Sequence, residues 1–328
     1  MKLLRLLRLA IVAAFVACNS APQLVPNAAP QRNAAFTSKH LYVAQGADIA
    51  SIVYRYPLRA DGLPAKKPDG ELDLDFRWVG SIAIGPDGDL YVTETGTVNG
   101  CRNPRTCRVD VFAPGASGKA RPVRVLYTTL QPLYVAVDQR GYLDVETFHG
   151  EGYEITNVYR PNAGGHEKPI AQISSDGVNA LAASHGIAYI QTLTEGVEAA
   201  NEDASGKQPS YFTYGSNYSS DGVATDAKHL YAQYYWQRGS AYFLATAVFD
   251  IGHPGDATRS IIGTGCRGSV SGGALGYGLA VYKNYLYEGC LDFPGQAGGV
   301  LVYENTTSGK EKPLEKLPGG DAGLAIGP

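Results

Sequence analysis

A motif made of an Ala-centred apolar strand, a polar turn with Gly or Asn, and a second strand carrying aliphatic-Tyr occurs five times intact. A sixth copy is split between the two ends of the chain. Together these predict an all-β protein: a six-bladed β-propeller of four-stranded antiparallel blades, closed by pairing of the N- and C-terminal strands. No stretch sustains a 3.6-residue apolar period, so almost no helix is expected in the ring.

The cleanest copy is Ile82-Ala83-Ile84-Gly85-Pro86-Asp87-Gly88-Asp89-Leu90-Tyr91-Val92. It returns as Val135-Ala136-Val137 into Leu143-Asp144-Val145, and as Leu181-Ala182-Ala183 into Ala188-Tyr189-Ile190. Two more run Val223-Ala224-Thr225 into Leu230-Tyr231-Ala232, and Leu279-Ala280-Val281 into Leu286-Tyr287. Starts lie 53, 46, 42 and 56 residues apart, a span that holds four short strands.

Leu324-Ala325-Ile326 has no second strand after it, while Leu41-Tyr42-Val43 has no first strand before it. Joining the ends restores one blade and leaves no open sheet edge. A third strand also repeats (Val109-Asp110-Val111-Phe112, Asn157-Val158-Tyr159, Ala247-Val248-Phe249, Leu301-Val302-Tyr303), usually followed by a Gly turn and a Pro before the fourth. Each such pair reads as a hairpin at the outer blade edge.

Before the ring come two other segments. Residues 1–18 combine Lys2, Arg5 and Arg8 with a short apolar run and Cys18, too short for a membrane span and suited to export. Phe15-Val16-Ala17-Cys18 resembles the bacterial lipobox, which implies acylation of Cys18 and a membrane anchor. Residues 19–37, rich in Ala, Pro, Asn and Gln, read as a flexible tether, and 38–328 as a single propeller domain.

Export makes oxidation of the remaining cysteines reasonable, and their positions predict the pairs Cys101–Cys107 and Cys266–Cys290. With a net charge of −3 and no basic stripe interleaved with aromatics, nucleic-acid binding is not expected.

Residues 82–94 and their copies resemble the NHL-repeat propellers, over essentially 38–328. That resemblance implies the fold, and it brings with it related calcium-dependent gluconolactonases and streptogramin lyases. The family's Asn-His-Arg-Ile between second and third strands is absent, and no residue role is carried over.

Functional candidates follow from the architecture. Loops leading into the Ala-centred strands ring the mouth of the central channel, and they hold Trp78, Tyr134, Asp176, Asn179, Asp221, Tyr277 and Asp321. Asp176, Asp221 and Asp321 offer oxygen ligands to a Ca2+ ion, or they serve as turn-forming aspartates. Polar residues near second-strand ends (Gln45, Glu94, Glu146, Gln191, Gln233) face either a shared pocket or solvent.

No Gly-x-Ser-x-Gly, phosphate loop, His-Glu-x-x-His or Ser-x-x-Lys occurs. The sequence therefore predicts a monomeric, noncatalytic envelope lipoprotein that binds a protein or glycan. A divalent-cation-dependent lactonase or lyase with its site at the channel mouth is the alternative.

Overall fold

The computed structural model describes residues 38–46, 51–74, 79–94, 107–148, 153–192, 196–203, 210–213, 218–238, 241–269, 278–290, 299–319 and 323–328. Phe36–Pro328 forms one compact unit, and all its described regular structure is strand.

Blade one contains β1 (His40–Gly46), β2 (Ser51–Pro57) and β3 (Gly70–Leu74). Blade two is β4 (Val79–Ile84), β5 (Leu90–Glu94), β6 (Arg108–Phe112) and β7 (Arg124–Tyr127). Blade three is β8 (Gln131–Val137), β9 (Leu143–Phe148), β10 (Tyr153–Tyr159) and β11 (Ala171–Asp176). Blade four is β12 (Val178–Ser184), β13 (Ile187–Thr192), β14 (Val197–Asn201) and β15 (Ser210–Phe212).

Blade five is β16 (Tyr218–Thr225), β17 (His229–Arg238), β18 (Ala241–Asp250) and β19 (Arg259–Ser269). Blade six takes β20 (Leu279–Tyr282), β21 (Tyr285–Cys290), β22 (Gly299–Glu304) and β24 (Glu315–Pro318), while β23 (Gly309–Glu311) pairs in parallel with β19. The innermost place of blade one is filled by β25 (Gly323–Gly327), whose Ala325 stands opposite Tyr42. The predicted closure by both termini is thus what the ring uses.

Neighbouring inner strands pack side by side around the circle: β25 on β4, β4 on β8, β8 on β12, β12 on β16, β16 on β20, and β20 on β25. All six run in one sense. We call the rim where they begin upper and the rim where they end lower.

Apolar residues from adjacent blades merge into six buried clusters, one at each junction. The repeat tyrosines account for much of this. Tyr42, Tyr91, Tyr189, Tyr231 and Tyr287 bury their rings between blades. Several hydroxyls then find partners: Tyr42 donates to the Pro328 carbonyl at 2.9 Å, Tyr287 to the Gly62 carbonyl at 2.5 Å and Tyr231 to Asp226 at 2.8 Å. A large apolar ring with one polar tip suits a junction that is dry inside and wet at its edge.

Outer edges are covered from the next blade. Gly118 bridges Leu72, Gly165 bridges Leu126, Asp256 bridges Thr213, and β23 lies along β19, all in parallel. Gly118 and Gly165 have φ of 59° and 62°, a left-handed backbone that Gly adopts without strain. These links cover outer strands that would otherwise offer unpaired amides to another chain.

Candidate functional site at the channel mouth

At the upper rim the pairing of the inner strands slips. Register shifts fall between Val79 and Ile82, Pro132 and Val135, Val178 and Ala180, and Ser219 and Val223. Such bulges bend a strand and re-aim its side chains. Here they turn backbone and small residues toward the axis.

The resulting mouth is lined by Gly80, Ser81, Tyr134, Gly222, Gly278 and Gly323, with the first aliphatic residue of each inner strand beneath them. Its volume of about 50 Å3 holds a few waters and no sugar ring. Below it the Ala-centred strands enclose about 210 Å3. Lys39, Asp138 and Gln139 border a lower opening of about 380 Å3.

Of the residues expected at the mouth, Tyr134 lines it. Asn179 is partly buried, in the bulge before Ala180, which also lines the mouth. Asp221 lies in the bulge of β16, directly before Gly222. Asp176 instead ends β11, the outermost strand of blade three, opposite Tyr153. The two aspartates therefore sit at different places in their blades. Trp78, Tyr277 and Asp321 lie outside the described residues, as do Cys18 and Cys101.

Sequence reasoning missed what holds these bulges. Thr93 Oγ1 accepts from the Ser81 N–H at 2.8 Å and contacts the Leu133 carbonyl of the next blade at 3.2 Å. Gln191 does the same one junction further round: Nε2 donates to the Gln233 carbonyl at 2.5 Å, and Oε1 accepts from the Gly222 N–H at 3.2 Å. Both stand two residues after the repeat tyrosine or its equivalent, where a side chain faces the following blade. That offset was the available signal.

The second-strand polar residues are accordingly neither solvated nor gathered in one pocket: Glu94, Glu146, Gln191 and Gln233 are all buried. Glu94 pairs with Arg108 at 2.9 Å, yet burial pushes its carboxyl up to about 7, with Asp110 adding to the rise against Arg108. Glu288, wholly enclosed, accepts from Thr246 Oγ1 at 2.5 Å, and burial raises it to about 7. Gln233 stands directly opposite Thr246, and its amide atoms are buried without a partner.

At the lower end of the junction between blades three and four, Asp144 occupies the repeat-tyrosine position. Burial drives its carboxyl well above the usual range, helped by Glu202 and Asp138 and opposed by Arg140. Arg140 binds Asp138 at 2.6 Å and also Glu202.

The Cys266–Cys290 disulfide forms as expected, tying β19 to β21. Cys107 is buried and disulfide-bonded. Among the described residues, no three His, Cys, Asp or Glu side chains are placed to hold a metal ion, and no helix is long and apolar enough to cross a membrane.

No protein-family model matches the chain, and no curated protein does. Among solved structures, apo AztD from Citrobacter koseri is similar over 88% of this chain and 98% of its own, with 10% identity and a TM-score of 0.38. Sqt1 from Chaetomium thermophilum is similar over 85% of this chain and 70% of its own, with 13% identity and a TM-score of 0.48. PQQ-bound aldose sugar dehydrogenase from Streptomyces coelicolor is similar over 81% of this chain and 75% of its own, with 15% identity and a TM-score of 0.35. Likeness of this degree carries nothing about activity.

Proposed function

We propose that this chain is an exported, NHL-like propeller, anchored by lipid at Cys18, that binds a protein or glycan of the cell envelope and catalyses no reaction. The observation that carries the reading is the build of the upper mouth. Glycines, backbone and one aromatic, Tyr134, form a shallow opening over a narrow apolar channel. A surface of this kind offers peptide groups and one ring face for recognition, and it offers little room to enclose a substrate.

A second reading, a cation-dependent lactonase or lyase, draws on Asp221 beside the mouth-lining Gly222. One set of measurements separates the two: elemental analysis, calcium-dependent melting, and binding to panels of envelope glycans and peptides, all on protein purified without chelator. A ligand whose affinity drops on Tyr134→Ala while the melting temperature holds supports the binding module. Stoichiometric calcium lost in Asp221→Asn, with turnover of a lactone, overturns it. Fatty-acid labelling that disappears in Cys18→Ala tests the anchor separately.

A further inference from the structure

The lower rim carries a one-sided arc that the upper mouth does not use. Each fourth strand is entered through a backbone hydrogen bond to the third: Val123 N–H to Val111, Ile170 to Val158, Thr258 to Val248 and Leu314 to Val302. Asp69 makes the same bond to Arg55 in blade one. These residues therefore occupy one equivalent position around the ring.

In blades two, three and six the residue there is a large aliphatic left in solvent: Val123 is 60% exposed, Ile170 40% and Leu314 49%. Each follows a proline and an exposed cation, as Arg121-Pro122-Val123, Lys168-Pro169-Ile170 and Lys312-Pro313-Leu314. Blade one, between six and two, adds exposed Lys66 and Lys67 before Pro68, and its Asp69 is neutralised by Arg55 at 2.8 Å.

Blade five has Asp256-Ala257-Thr258 instead and still makes the hydrogen bond. The turn thus does not need the cation, the proline or the aliphatic. What remains to explain is a run of blades, six to three, that pairs positive charge with exposed apolar side chains at one height on the ring.

Blade one is also where the described chain starts, and Lys39 borders the lower opening. Taken as the tether that the sequence predicts, the roughly 20 residues from Cys18 to Lys39 reach about 25 Å on average. An anchor on such a tether holds this rim within contact distance of the bilayer.

We propose that the lower rim of blades six, one, two and three docks on an anionic lipid surface. Lys67, Arg121, Lys168 and Lys312 face the headgroups, and Val123, Ile170 and Leu314 enter the interface. Cations near such a surface each contribute about 1 kcal/mol, and inserted aliphatics add their burial. The surface's identity as a membrane rests on the anchor reading, but the docking itself is testable without the lipid.

The chain from Asn19 onward retains every strand and carries no acyl group. Sedimentation with vesicles of phosphatidylcholine, alone or with about 30% phosphatidylglycerol, measures docking at low and physiological salt. We expect partition onto the anionic vesicles only, weakening with salt. Arg121→Glu, Lys168→Glu and Lys312→Glu together lower it at least about tenfold. Val123→Ser, Ile170→Ser and Leu314→Ser together lower it several-fold, with melting unchanged in both triple variants.

No partition at low salt, or equal partition of parent and both variants, overturns the proposal. Binding of these variants to an acidic protein but never to vesicles reassigns the arc and equally refutes lipid docking. Failure of Cys18 labelling with vesicle docking intact removes the anchor and leaves the docking surface standing.

Discussion

Glu288→Gln is the perturbation whose size the structure best defines. The carboxyl of Glu288 lies wholly inside the junction of blades five and six, with one hydrogen bond from Thr246 and with Oε2 sealed and unpartnered. Burial lifts it from 4.5 to about 7, so the folded protein holds this proton where the unfolded chain has released it. The corresponding stability is fully present below pH 4.5 and is lost as pH rises to about 7.

At 1.36 kcal/mol per unit, the full loss is about 3 kcal/mol. Glutamine keeps the acceptor for Thr246 and carries no charge. Its new N–H faces a region where Gln233 Oε1, opposite Thr246, also lacks a partner. Allowing about 1 kcal/mol for imperfect seating of the amide, the variant should match the parent near pH 4.5 and exceed it by about 2 kcal/mol near pH 8.

Urea unfolding followed by tyrosine and tryptophan fluorescence at several pH values measures the difference. Other buried acids, Glu94 and Asp144 among them, tilt both curves in the same direction and cancel in the subtraction. If the two proteins stay parallel from pH 4.5 to 8, Glu288 is not the proton-holding group and the reasoning fails.

Gln191→Leu removes a buried donor and a buried acceptor that hold the blade-five bulge, and it should cost about 3 kcal/mol by the same urea assay. An unchanged midpoint would mean the bulge holds its own shape. Replacing Cys266 and Cys290 together by serine opens a link across a sequence separation of 24, and the lower urea midpoint should correspond to about 3 kcal/mol. A midpoint within about 0.5 kcal/mol of the parent would show that the junction is held by packing alone.

The ring was legible because its repeat is long, regular and dominated by apolar alternation. The Ala-centred strands, the split blade and the Cys266–Cys290 pair could all be read from spacing. The acids were not. A glutamate at a strand end reads as solvated by type, and nothing local reports that Glu94 and Glu288 are enclosed by a neighbouring blade far off in sequence. The Ser-Ser-Asp-Gly-Val likeness around Asp176 and Asp221 misled for a related reason. Equal residues occupy the end of an outer strand in one copy and an inner bulge in the other. The bulges themselves leave no composition mark beyond scattered glycines.

Because β1 takes its inner partner from β25, the first strand of the ring must wait for the last. Tyr42 and Pro328 bond across a separation of 286 residues, and until that contact forms blade one has only three strands and the circle is a horseshoe. Contacts of such sequence separation are entropically late and kinetically slow. A newly made chain should therefore pass through a long-lived open form whose exposed β1 edge invites another chain. Assembly of the ring is timed by its own final strand.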